Sequence, residues 1–226
     1  MASGAGGKPR VIRVSPAGGG LRAVLEPVAR ELREHGALAV YPTDTLYGLG
    51  ANPFSRGSVL RVYRVKRRPL GRPLPVLVSS LGVAERLVVL SREARLLAER
   101  FWPGALTLVL PLRRGAGVPV ELHAGSGRLA VRMPAHRVAL VLIELAGGAL
   151  VGTSANRHGA PPPRTAGEAV EQLDGEVDYV VDAGPAPLGA PSTVVDLSGG
   201  EPRVLREGAV PAEAVLRVLA SLGSGV

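Results

Sequence analysis

The chain has 226 residues, with 27 Lys and Arg against 19 Asp and Glu, a formal charge of +8, and 46% hydrophobic residues. That supplies a sizeable core for one large domain, while the absence of Cys removes disulfides, thiolate metal sites and cysteine nucleophiles. Aromatic residues are only 3% of the chain, too few for the stacking platforms of single-strand binders.

In chain order, residues 1–9 are mostly Gly, Ala and Ser and lack the apolar stretch of a signal peptide. They read as a flexible N-terminus ahead of one domain over 10–226, in a cytoplasmic protein. Arg10 to Val14 alternates like a short strand. Leu21, Val24, Leu25, Val28 and Leu32 recur at helical spacing, and Pro27 requires that this helix either kinks or begins its regular part there. Ala37 to Tyr41 reads as a buried strand, and Ser55 as the cap of a helix that turns Val59, Val62 and Tyr63 toward the core.

Leu74 to Val78 is the next strand, Ser91 caps a helix running to Phe101, and Ala105 to Leu110 and Leu129 to Met133 are strands. A helix from His136 to Ala146 leads to a strand at Ala149 to Gly152. This most apolar stretch is interrupted by Glu144 and Gly147-Gly148, which argues against a membrane span. Thr165 with Glu168 forms a capping box. Val177 to Val181, Thr193 to Leu197 and Arg203 to Leu205 complete the strands, and Pro211 opens a last helix that ends before Gly223. The irregular alternation predicts a single α/β domain on a mixed sheet, with Arg157 to Arg164 as a mobile flap.

Five segments could carry chemistry. Residues 42–50, PTDTLYGLG, leave a buried strand for the start of a helix; strand exits of open α/β sheets hold ligands, although an Asx-type turn explains the same residues. In Lys66-Arg67-Arg68-Pro69-Leu70-Gly71-Arg72-Pro73, four cations follow a helix between restraining prolines. Such cations complement a helix dipole or are aimed at a polyphosphate. Lys66 stands out because Lys8 is the only other lysine. Residues 152–156, GTSAN, offer small polar side chains and backbone amides to an anion. Ser192 to Asp196 with Arg206-Glu207-Gly208, and Arg132 inside a strand, are the other two. An arginine there needs an anion or an ion pair. Residues 125–130 fit G-x-G-x-x-A but precede a strand, no phosphate-binding G-x-x-x-x-G-K-[ST] loop is present, and the four His have no metal-ligand spacing.

The ordered set PTDTLYGLG at 42–50, K-x-R with a later Pro-Leu at 66–74, WPGALT at 102–107, VRMP at 131–134, TSAN at 153–156, STVVD at 192–196 and LREG at 205–208 resembles the YrdC family of L-threonylcarbamoyladenylate synthases. The resemblance implies a twisted mixed β-sheet with flanking helices and a concave basic face. It also implies a nucleotidyltransferase that makes threonylcarbamoyl-AMP and pyrophosphate from L-threonine, bicarbonate and ATP, with Mg²⁺ on the phosphates. The product would pass to a complex that transfers threonylcarbamoyl to tRNA. By position, Thr45, Arg132 and Ser192 match residues that hold threonine. Lys66, Arg68, Arg72, Ser154, Asn156 and Arg206 match residues that hold the nucleotide, with Lys66, Arg68 and Arg206 as the catalytic cations. Arg128 stands where relatives carry a small hydroxyl residue, and Leu77 where longer relatives carry a His. Two other readings are a non-enzymatic RNA-binding module, consistent with the charge and with weak RNA binding, and a carbamoyl-phosphate-dependent carbamoyl-adenylating domain.

Overall fold

The computed structural model describes residues 8–173 and 175–222, so residues 1–7 of the expected flexible N-terminus lie outside the described residues. Strand β1 (Arg10–Arg13) is followed by helix α1 (Leu21–Glu34) and strand β2 (Ala39–Tyr41). The chain then doubles back as β3 (Gly48–Gly50) before α2 (Arg56–Lys66). Next come β4 (Val76–Val78), α3 (Leu81–Leu87), α4 (Arg92–Phe101), β5 (Leu106–Pro111), the one-turn α5 (Val120–His123) and β6 (Arg128–Arg132). The remainder is α6 (Arg137–Leu145), β7 (Ala149–Val151), β8 (Thr153–Ser154), α7 (Ala166–Gln172), β9 (Tyr179–Asp182), β10 (Thr193–Asp196), β11 (Arg203–Arg206) and α8 (Ala212–Ala220).

Side-chain caps set the helix starts. Hydroxyls of Ser55, Ser91 and Thr165 accept from the backbone N–H of Ser58, Ala94 and Glu168 at 3.2–3.3 Å. Each bond satisfies an N–H that has no partner inside its helix. Ser80 does the same for α3, a helix that the sequence pattern did not reveal, by accepting from Val83 N at 3.2 Å. Pro27 lies inside α1, past its first turn, and removes one ladder bond without ending the helix.

The α/β domain is built on mixed sheets, and its strands divide between two of them rather than forming one. The five-stranded sheet has the order β1-β9-β2-β3-β8, and the six-stranded sheet the order β11-β10-β5-β6-β4-β7. In the second, β10 runs parallel to β5 and β6 parallel to β4, whereas β5 and β6 are antiparallel. The largest core joins the two sheets through Val40, Leu49, Val76, Leu108, Val131 and Val195. A second core clasps α1 to α6 through Leu25, Val28, Leu32, Leu142 and Ile143, all fully buried. Each such side chain contributes about 1.5–3 kcal/mol relative to exposure.

The segment 42–50 departs from expectation. It does not start a helix; its end pairs antiparallel with β2, Val40 opposite Leu49, and then with β8, Leu49 opposite Thr153. The polar residues 42–47 therefore form the turn of a hairpin, held when the Thr43 hydroxyl donates to Leu46 O at 2.6 Å.

Candidate functional site

Strand alternation builds the site. Successive side chains of a strand point to opposite faces. On β5, Leu106, Leu108 and Leu110 join the core while Thr107 and Val109 face a cavity. On β6, Leu129 and Val131 go to the core and Arg128, Ala130 and Arg132 to the cavity; Ser192, Val194 and Asp196 face it from β10 and its approach. Register places Val109 opposite Ala130 and Asp196, and Leu77 opposite Arg132. One face of the six-stranded sheet is thus the floor of a cavity of about 560 Å³. Its walls are Thr43, Thr45 and Tyr47 from the β2–β3 turn, Arg68 after α2, Ser154 on β8, and Arg206 on β11. That volume suits a small-molecule ligand.

Four arginines line this cavity, Arg68, Arg128, Arg132 and Arg206, and three of them come from the motifs singled out in the sequence. Arg132, 5% exposed, donates from Nη2 to Asp44 Oδ1 at 2.5 Å, from Nη1 to Thr45 Oγ1 at 2.8 Å and from Nε to Gly104 O at 2.8 Å. It is an ion pair, and the same Asp44 oxygen accepts from Ala135 N at 3.1 Å. Arg206 holds Ser192 O through Nη2 at 2.7 Å and Nε at 3.2 Å, and Ser192 Oγ lies 2.8 Å from Thr107 Oγ1. The field of Arg206 is felt at Arg132. Arg68 donates to Arg72 O and Pro73 O at 3.1 and 2.9 Å. It follows Arg67, which caps α2 in the left-handed region at φ 51°.

The site residues expected from the sequence separate into three groups. Thr45, Arg132, Ser192, Arg68, Ser154 and Arg206 line one cavity. Lys66 and Asn156 are buried and absent from its lining: Lys66 Nζ donates to the carbonyl oxygens of Ser154 and Asn156, and Ser154 Oγ donates to Asn156 Oδ1 at 2.5 Å. Arg72 is exposed, and its carbonyl rather than its guanidinium is engaged, by Tyr63 Oη and Arg68.

Sequence reasoning missed Thr107, although a lone hydroxyl between Leu106 and Leu108 in an apolar strand was a usable signal. It also missed the place of Asp196, a buried carboxylate in the floor bound by Ser198 Oγ at 2.5 Å and more loosely by Arg128 and Arg203 at 3.4 Å. The loop 157–164, expected to be a mobile flap, is tied down. His158 N donates to Lys66 O at 2.9 Å, Tyr47 N to Pro163 O at 3.0 Å, Asn156 Nδ2 to Ala160 O at 2.7 Å, and Ala186 N to Arg164 O at 2.8 Å.

Gly152 sets the closeness of one wall. A Cβ there would lie 2.2 Å from Leu77 Cγ and 2.9 Å from Cδ2. We expect Gly152→Ala to drive Leu77 out of place and to cost about 1–3 kcal/mol. Thermal melts should show most of that loss recovered in Gly152→Ala/Leu77→Ala; a double variant no more stable than the single one would refute the contact as the cause.

The Sua5/YciO/YrdC family model, described as telomere recombination, matches residues 31–208. A threonylcarbamoyl-AMP synthase of Pyrococcus abyssi is 40% identical over 199 residues, 86% of this chain and 57% of the relative. One of Bacillus subtilis is 40% identical over 189 residues, 83% of this chain and 54% of the relative. The chain thus spans little more than half the length of these relatives. Among solved structures, P. abyssi Sua5 complexed with L-threonine superimposes with a TM-score of 0.87 at 38% identity, covering 92% of this chain and 60% of that one.

Proposed function

Because the chain belongs to the Sua5/YciO/YrdC family, we propose that it is an L-threonylcarbamoyladenylate synthase, a nucleotidyltransferase that joins L-threonine, bicarbonate and ATP into threonylcarbamoyl-AMP with release of pyrophosphate. The observation that carries this reading is the convergence of Arg68, Arg132 and Arg206 on one cavity. Among the described residues, Asp196 is the only carboxylate in its lining, and Ser198, Arg128 and Arg203 already engage it. Among the described residues no carboxylate pairs with Arg68 or Arg206, and two such cations favour a polyanionic ligand beside a small polar one. The relatives' name, threonylcarbamoyl-AMP synthase, supports the product, and the L-threonine complex of the P. abyssi protein supports threonine as a substrate.

In this reading the threonine carboxylate meets Arg132, which has two guanidinium N–H groups beyond the three bonds described, with Thr45 and Ser192 beside it. The threonine ammonium combines with bicarbonate to give an N-carboxylate, releasing water and a proton to solvent. A carboxylate oxygen then forms a bond to the α-phosphorus of ATP as the bond to the bridging oxygen breaks and pyrophosphate leaves. Two anions must approach each other, so positioning and charge stabilisation by Arg68, Arg206 and Ser154 supply most of the rate. No group of three His, Cys, Asp or Glu suited to a metal ion occurs among the described residues; Mg²⁺ enters as part of the nucleotide substrate. The product would pass to a tRNA-modifying complex.

The test is pyrophosphate release by the purified chain. We expect release that requires both threonine and bicarbonate; release independent of either would overturn the assignment. Tight tRNA binding with no turnover would instead favour the binding-module reading, whose affinity should fall steeply with salt.

A further inference from the structure

Lys66 is a cation enclosed by groups that do not neutralise it. It is 2% exposed, and among the described residues Nζ meets only uncharged oxygens: the Ser154 carbonyl, the Asn156 carbonyl at 2.5 Å and Asn156 Oδ1 at 3.5 Å. The charged groups around it share its sign. Arg68 on the segment leaving α2 opposes it directly, and His158 on the loop beyond β8 lies in the joint field of Arg68, Arg72 and Lys66. Among the described residues, none of the charges acting on Lys66, Arg68 or His158 is a carboxylate; the remaining titratable neighbour is Tyr63, on α2. Burial, then Arg68, push the Lys66 ammonium down to about 7 from its ordinary 10.5.

The same residue fastens a cavity wall. Through Nζ it holds residues 154 and 156, and through its carbonyl it accepts from His158 N at 2.9 Å. Asn156 then binds Arg157 O and Ala160 O at 2.9 and 2.7 Å. Ser154 lines the cavity, so an anion seated there lies one residue layer from Nζ. A buried charge without a counter-ion is costly, and an opposite charge brought near restores the charged form.

We propose that Lys66 is a positioning residue that couples the site to a proton: its amine fastens the Ser154–Asn156 wall, and it takes up one proton when an anion of the phosphate class occupies the cavity. The proton comes from water or buffer and goes to the Nζ lone pair, with no other bond made or broken. The sign follows from the depressed value. This group's contribution to folding is fully present above about 10.5 and is lost as pH falls through about 7. Without an anion, protonation therefore costs stability, and an anion in the cavity offsets that cost. The polyphosphate identity of the anion rests on the synthase reading, whereas the coupling does not.

The sequence makes the measurement simple, because Lys8 and Lys66 are the only lysines. In protein labelled with ¹³Cε-lysine, two signals appear, and Lys66→Arg assigns one of them by removing it. We expect the Lys66 signal of the free protein to titrate near pH 7. Saturation with inorganic sulfate, or with a non-hydrolysable ATP analogue, should raise its proton affinity at least tenfold and leave Lys8 unmoved. Amide exchange at His158 and Ala160 should slow in the same samples, and in free Lys66→Met it should run faster than in the free native chain. A free-protein titration above pH 10, or a midpoint that neither anion moves, would overturn the proton coupling. Unchanged exchange in Lys66→Met would overturn the fastening role. None of these readouts uses turnover, so failure here is distinguishable from failure of the pyrophosphate assay.

Discussion

Arg132→Met is expected to lose both activity and a large part of the stability of the fold. Its guanidinium and the Asp44 carboxylate are each about 6% exposed, 2.5 Å apart. Methionine would leave Asp44 a buried anion whose remaining hydrogen-bond donor, among the described residues, is Ala135 N. Breaking one side of a buried pair costs about 3–5 kcal/mol, which for a chain of this size lowers the melting temperature by roughly 2–4 °C per kcal/mol. Asp44→Asn/Arg132→Met should regain much of this stability, since an amide needs no counter-ion, while pyrophosphate release stays absent because the carboxylate of threonine has lost its partner. A double variant as unstable as Arg132→Met would show that the ion pair is not what holds the β2–β3 turn to β6; a fully active Arg132→Met would remove the residue from the site.

Arg206→Ala should separate chemistry from folding. The residue is exposed on β11 and only braces Ser192, so melting should move by no more than about 0.5 kcal/mol. If its guanidinium stabilises charge that develops as pyrophosphate leaves, the rate should fall roughly 10²- to 10³-fold, as for loss of one preorganised donor. Arg206→Lys keeps the charge but not the two-pronged geometry, so it should recover only part of the rate. A rate within a factor of two of the native protein for Arg206→Ala would confine Arg206 to a bracing role.

The local physics of the chain was legible. Ser55, Ser91 and Thr165 announce helix starts because a cap is a contact between residues three apart. Segment 42–50 was not legible: Gly48–Gly50 is a strand because β2 and β8 flank it, and β8 comes about a hundred residues later. The same divide runs through the site. Motif order pointed to Arg68, Arg132 and Arg206, and these side chains meet at one cavity. Lys66 was singled out by its rarity and by the motif as a phosphate contact, yet it lies behind the wall. Burial is set by how α2 packs against the segment 154–158, which no spacing within 66–73 reveals.

The alternation of β5, β6 and β10 separates two kinds of selection. Val109, Ala130 and Val194 meet whatever occupies the hollow, while their immediate neighbours Leu108, Leu129 and Val195 carry the packing. Exchanges at the first set revise molecular recognition and leave the hydrophobic interior intact, so such a scaffold can acquire new ligands one residue at a time without forfeiting its fold.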